Sequence, residues 1–225
     1  MTTRKYLVMS QDTLSRILES GIVAVVRAEK GEQLLSVAEA LLAGGVEAIE
    51  VTFTVPAAHR VIERVAEQLG DRILLGAGTV LDAETARIAI LAGAQYVVAP
   101  NLNREVIGVC RRYSKPVMPG ALTPTEIIAA WEAGADVVKI FPSELTGPAY
   151  LKAIHGPLPQ IRLMPTGGVN LETATAFLQA GACALGVGSA LVDTKLIAAG
   201  KFSEIEQRAK QFVAVVRQFR KSSKE

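Results

Sequence analysis

Cysteine, histidine and aromatic residues are scarce in this 225-residue chain, which has two cysteines, two histidines and 5% Phe, Trp and Tyr together. Two thiols, Cys110 and Cys183, cannot build a disulfide framework or a four-ligand zinc site, and such low usage fits a reducing compartment. Both read as inert core thiols. His59 and His155 stand apart from each other and from any acidic cluster, so metal-assisted chemistry lacks ligands and no metal is expected. The sparse aromatics suit helix packing better than a platform for stacking bases. An excess of one charge is also absent. Lys and Arg number 24 against 22 Asp and Glu, a net charge of +2, so no whole-molecule field attracts nucleic acid or an anionic membrane. Any anion site must be local.

Long hydrophobic runs are missing as well. The chain is 50% hydrophobic, yet charged or turn residues interrupt every apolar stretch, and none approaches the ~18 residues that a span requires. The opening MTTRKYLVMSQD carries an apolar patch of four residues, too short for the core of a signal peptide. A soluble, cytoplasmic protein is expected. G-x-S-x-G, Walker A, H-E-x-x-H and a strand-following G-x-G-x-x-G do not occur, which removes the common hydrolase, nucleotide and dinucleotide readings. The one charge run, RKSSKE at 220–225, reads as a solvated basic tail.

What the chain has is alternation. Short β-branched runs recur at residues 22–26, 48–53, 73–75, 96–99, 117–118, 137–141, 161–164 and 184–187, eight in all. Helix-patterned segments at 32–42, 57–69, 83–91, 104–113, 125–131 and 172–179 lie between them. Thr123, Pro124 and Glu126 form a T-x-x-E capping box with Pro at the first helical position, and Ser203 with Glu206 forms another before the last helix. Ala43-Gly44-Gly45, Ala92-Gly93-Ala94, Ala133-Gly134-Ala135 and Ala180-Gly181-Ala182 repeat one helix-ending signature, in which glycine takes the left-handed conformation.

Such a chain closes into a (β/α)8 TIM barrel or stays open as a doubly wound sheet. Polar residues at alternate positions of apolar strands favour the barrel. Glu50, Thr52 and Thr54 alternate with Ile49, Val51 and Phe53, and a barrel lumen accommodates that polar face. No linker or composition break occurs, so residues 1–225 read as one α/β barrel domain, with residues 1–20 as an N-terminal extension carrying an extra helix.

Lys139 stands alone among apolar neighbours in Val137-Val138-Lys139-Ile140-Phe141. Burial disfavours an ammonium relative to a free amine, and a free amine attacks carbonyls. The residue fits a Schiff-base nucleophile, or a lysine fixed by a carboxylate partner or by a strand end at the surface. Glu50 is the matching oddity, a carboxylate that a barrel would aim into the same lumen, as proton carrier or as ion-pair partner of Lys139. Small residues follow the last two strands in Pro165-Thr166-Gly167-Gly168 and Gly186-Val187-Gly188-Ser189, where barrels commonly bind phosphate. Gly76-Ala77-Gly78-Thr79 is a further tight loop with a hydroxyl to position substrate, and Arg27 ends the first strand, suited to a bidentate contact with a substrate carboxylate.

Gly44-Gly45-Val46 leading to Glu50-Val51-Thr52, then Gly76-Ala77-Gly78-Thr79-Val80, Ala99-Pro100, Met118-Pro119-Gly120, Lys139-Ile140-Phe141-Pro142, Pro165-Thr166-Gly167-Gly168 and Gly188-Ser189 occur in that order. The set resembles the 2-keto-3-deoxy-6-phosphogluconate (KDPG)/4-hydroxy-2-oxoglutarate (KHG) aldolases, from about residue 21 to 192. The resemblance implies a metal-independent class I aldolase without cofactor, a homotrimer, acting on a small keto-acid phosphate. It implies Lys139 as the Schiff-base residue, Glu50 as general acid/base, Gly167, Gly168 and Ser189 on the phosphate, and Thr79, Pro100 and Phe141 around the pyruvyl part. Part of the family carries a carboxylate-binding arginine after the glutamate, where this chain reads Thr52-Phe53-Thr54-Val55-Pro56. In the branch this chain resembles, that role falls to Arg27. Two other readings of the same residues are a phosphosugar epimerase or synthase and a non-catalytic phosphate-binding or assembly subunit.

Overall fold

Period-two alternation decides which side chains face inward. The computed structural model describes residues 3–29 and 31–222, so residues 1 and 2 of the N-terminal extension and 223–225 of the tail lie outside it. Its strands are β1 (Ile22–Val26), β2 (Ala48–Thr52), β3 (Leu74–Gly78), β4 (Tyr96–Val98), β5 (Val117–Met118), β6 (Gly120–Ala121), β7 (Val138–Ile140), β8 (Leu163–Pro165) and β9 (Leu185–Val187). Its helices are α1 (Thr3–Ser20), α2 (Leu34–Ala43), α3 (Ala58–Leu69), α4 (Ala83–Leu91), α5 (Arg104–Arg112), α6 (Pro124–Glu132), α7 (Gly147–His155), α8 (Ala174–Gln179), α9 (Thr194–Ala198) and α10 (Phe202–Ser222).

Every strand pair is parallel. Six strands run in the order β5-β4-β3-β2-β1-β9 and three in the order β6-β7-β8. The expected eight strands are thus nine segments, because Pro119 splits the fifth: a residue without an N–H cannot continue the ladder as a donor. Its carbonyl still accepts from Lys139 N at 2.9 Å. The two sheets approach again beyond β8, where isolated bridges join Leu163 to Ala182 and Thr166 to Gly186. This is an α/β fold with a curled parallel sheet, hydrogen-bonded as two sheets rather than one continuous ring.

All strand residues are buried, as expected where both faces of a parallel sheet are covered. Two separate apolar clusters cover them. Ile49, Val51, Val138 and Ile140 belong to the large cluster shared with the helices. Val23, Ala48, Leu74, Tyr96, Val98, Met118, Val137, Met164 and Ala184 form a second, inner cluster with Ile17 of α1. Ile17 is fully buried there, a burial worth about 1.5–3 kcal/mol. Glu50 and Lys139 alternate with the outward-facing residues of their own strands and therefore face inward.

The helix ends follow local chemistry, with three departures from the sequence reading. The α6 capping box forms as read: Thr123 Oγ1 accepts from Glu126 N at 3.3 Å, and the Glu126 carboxylate accepts from Thr123 N at 2.8 Å. Gly44 has φ −80° and serves by lacking a Cβ, which would overlap Ala209 of α10; Gly45, at φ 87°, makes the left-handed turn. Helix α10 begins at Phe202, so Ser203 lies inside its first turn, and Glu206 pairs instead with Lys210 at 2.5 Å. The tail is not wholly solvated: Arg220 donates to the carbonyls of Leu18 and Glu19, capping the end of α1.

Candidate active site

Lys139 sits in mid-strand on β7, in register with Gly120 on one side and Met164 on the other, and is 4% exposed. Its ammonium nitrogen lies 5.1 Å from the centroid of the Phe141 ring, which forms an aromatic wall against it. Glu50 on β2 is in register with Val25 and Gly76 and is 0% exposed. Neither carboxylate oxygen has a hydrogen-bond partner, and no ion pair joins Glu50 to Lys139 among the described residues. A structural salt bridge, the second reading of these two residues, is therefore not what the fold builds. Burial pushes the Glu50 carboxyl above its ordinary value, and the positive charges of Lys139 and Arg27 oppose that rise without cancelling it. A carboxyl group of this kind exchanges protons more readily near neutrality than a solvated one.

Small residues make the room. A Cβ at Gly78 would overlap the Glu50 carboxyl group, one at Gly76 the ring of Tyr96, and one at Gly186 the hydroxyl of Thr166. At Gly120, beside Lys139, it would overlap the Pro100 carbonyl, so Pro100 lies on the flank of the lysine strand.

Above these groups a cavity of about 350 Å³ is lined by Arg27, Phe141, Thr166, Gly167, Gly168 and Ser189, together with Glu144 at its rim. Gly167 and Gly168 have φ of 91° and 71°, and among the described residues their N–H groups and that of Ser189 make no hydrogen bond. Free N–H groups of successive residues in a glycine turn suit an anion. Arg27 is exposed and lines the same cavity. Thr79, at φ 55°, and Pro100 are half-buried just beyond β3 and β4 and do not line the cavity. A larger cavity, about 420 Å³, lies between Glu29, Glu32 and α9, away from Lys139. Among the described residues no unpartnered buried polar group lines it, whereas Thr166 lines the smaller one.

Sequence reasoning quoted Thr166 within a motif without giving it a role. Its hydroxyl is buried, lacks a partner among the described residues, and the residue lines the cavity; its period-two spacing from Met164 carries the signal. The cysteines take no part: burial pushes both thiols up to about 12. No three His, Cys, Asp or Glu side chains converge among the described residues.

A buried lysine and a buried glutamate, facing inward from a curled parallel sheet beneath the cavity lined by Gly167, Gly168 and Ser189, form a candidate enzyme site. Residues 14–208 match the family model described as KDPG and KHG aldolase. The chain belongs to that family. It is 38% identical over 196 residues to the 2-dehydro-3-deoxy-phosphogluconate aldolase of Treponema pallidum, covering 87% of this chain and 93% of the relative. It is 35% identical over 202 residues to the 2-dehydro-3-deoxy-6-phosphogalactonate aldolase of Escherichia coli, covering 89% and 95%. The solved KDPG aldolase of Legionella pneumophila, with pyruvate captured at low pH as a covalent carbinolamine intermediate, matches with a TM-score of 0.82. That match has 30% identity and covers 88% of this chain and 96% of that one.

Proposed function

We propose that this chain is a class I, metal-independent aldolase that cleaves 2-keto-3-deoxy-6-phosphogluconate to pyruvate and glyceraldehyde 3-phosphate through a Schiff base on Lys139. Cleavage of 4-hydroxy-2-oxoglutarate to pyruvate and glyoxylate is the same reaction on a shorter substrate. The observation that carries the reading is the inward-facing pair itself: a buried lysine and a buried glutamate that are not bonded to each other. The relatives support it over an epimerase, a synthase or a non-catalytic subunit.

In this reading the Lys139 amine attacks the C2 ketone, and the carbinolamine loses water as Glu50 delivers a proton to the departing oxygen. Glu50, now ionised, takes the C4 hydroxyl proton. The C3–C4 bond breaks, its electron pair flows into the iminium, and the phosphorylated aldehyde leaves. Protonation of the resulting enamine at C3 by Glu50, then hydrolysis, releases pyruvate and restores the amine. The N–H groups of Gly167, Gly168 and Ser189 hold the phosphate, Arg27 pairs with the substrate carboxylate, and Thr79, Pro100 and Phe141 enclose the pyruvyl part. In this reading the strands form one (β/α)8 barrel domain with α1 as the extra N-terminal helix, which the isolated bridges Leu163–Ala182 and Thr166–Gly186 support. The enzyme works in the cytoplasm as a homotrimer, without cofactor.

Intact mass after incubation with pyruvate and borohydride, in the presence of a chelator, tests the chemistry. The wild-type chain gains one reduced pyruvyl adduct and Lys139→Met gains none. A folded wild-type chain without adduct removes the imine mechanism, and an adduct that needs a divalent metal removes metal independence.

A further inference from the structure

Tyr96 is fully buried on β4, and its hydroxyl has no hydrogen-bond partner among the described residues. Register places Glu50, Gly76 and Tyr96 in one row across β2, β3 and β4. The tyrosine ring leans over the gap left by Gly76, with its hydroxyl-bearing carbon among the atoms that a Cβ there would strike. It has therefore crossed one strand spacing, about 4.8 Å, toward the strand that carries Glu50. Glu50 leans over Gly78 of the same strand from the other side. Tyr96 belongs to the inner apolar cluster with Leu74, Val98, Met118 and Met164. Among the inward polar residues, Thr52 already donates to Val26 O at 3.2 Å. A buried phenol and a buried carboxyl group, both unpartnered among the described residues and lying over glycines two residues apart on β3, satisfy each other if the carboxyl group turns toward the phenol.

We infer that Tyr96 is a positioning residue for Glu50: the two are not hydrogen-bonded in this structure, and when the carboxyl group ionises it turns toward the phenol, which donates to it and holds it toward Lys139. Its catalytic consequence rests on the aldolase reading; the contact itself does not. The proximity has an electrostatic trace, since burial and then the charge of Glu50 push the Tyr96 hydroxyl well above the usual phenol range. The charged or titratable groups facing Glu50 are Arg27 at the end of β1, Tyr96 on β4 and Lys139 on β7, with glycines on β3. A donor to the charged form lowers a carboxyl pKa, so removing it raises Glu50 further.

Tyr96→Phe keeps the ring over Gly76 and deletes only the hydroxyl. Two readouts apply. The Glu50 carboxyl, followed by ¹³C NMR titration, moves its midpoint up by about one pH unit in Tyr96→Phe. The acid limb of kcat for keto-acid cleavage moves up with it, and kcat at pH 7 falls about tenfold with KM unchanged. In a Glu50→Gln background the same substitution has no further effect on kcat. An unchanged Glu50 midpoint overturns the inference whether or not the chain cleaves a keto acid. A moved midpoint with an unmoved kcat limb overturns the positioning role. Loss of the pyruvate adduct from the wild-type chain falls on the aldolase reading instead.

Discussion

Folding carries the Glu50 carboxyl group from water into an interior where neither oxygen finds a partner. Its pKa rises from the ordinary 4.5 because burial disfavours the charge more than Lys139 and Arg27 favour it. The folded state then holds this proton more tightly than the unfolded chain does. Below 4.5 both states are protonated and the residue costs nothing through ionisation; the destabilisation grows as pH rises and is complete above the raised folded value. Glu50→Gln removes it. Calorimetry should show the variant melting higher than the parent at pH 8, by about 2–4 °C for each kcal/mol recovered, and the gap should close toward pH 4. A gap that is the same at both pH values contradicts this account of Glu50. Lys139 and Glu50 were legible in the sequence because a charge inside an apolar strand is rare. Tyr96 and Thr166 were not, because tyrosine and threonine are ordinary strand residues. What distinguishes them is a buried hydroxyl without a partner, a tertiary fact that no spacing records.

Short-range chemistry made the helix boundaries legible wherever one residue type does one thing, and α6 is the clearest case. The Glu126 carboxylate accepts from the backbone N–H groups of Leu122 and Thr123 and from the Thr123 hydroxyl, and these bonds hold its pKa below 4.5. A lowered carboxyl pKa contributes stability that is present above 4.5 and lost as pH falls through the folded value. The group is exposed, so the electrostatic share is small; the cap bond itself is the larger part. Thr123→Ala should cost about 1 kcal/mol, read as a lower urea midpoint with unchanged m-value. An unchanged midpoint contradicts the cap. Two boundaries were misread for reasons of the same kind. Gly44 looked like the left-handed residue, but α10 approaches so closely that the position needs glycine for space, while its neighbour makes the turn. Ser203 and Glu206 have capping-box spacing, yet the helix starts at Phe202, two residues before the start that a Ser203 cap implies, and Glu206 turns to Lys210. Spacing alone cannot report either a partner helix or a competing lysine.

The whole molecule spends its apolar residues on an outer cluster under the helices and an inner cluster along the strands' shared face. One more apolar set remains uncovered. Ile88 and Leu91, one turn apart on α4, are 48% and 66% exposed, and Leu81 just before that helix is 52% exposed. No single exposed leucine needs an explanation, but the spacing of Ile88 and Leu91 puts both in one row along α4. The homotrimer proposed above would supply an occupant, since each copy would meet its neighbour through surfaces that the same sequence provides. Light scattering on the eluted peak should therefore give three times the 23.8 kDa chain mass. Replacing Ile88 and Leu91 together by lysine places like charges in the row and should shift the protein to smaller species, while the chain stays folded because neither residue belongs to a core cluster. A wild-type monomer overturns the trimer. A trimer that survives both lysines leaves the assembly standing and removes the α4 row from its interface.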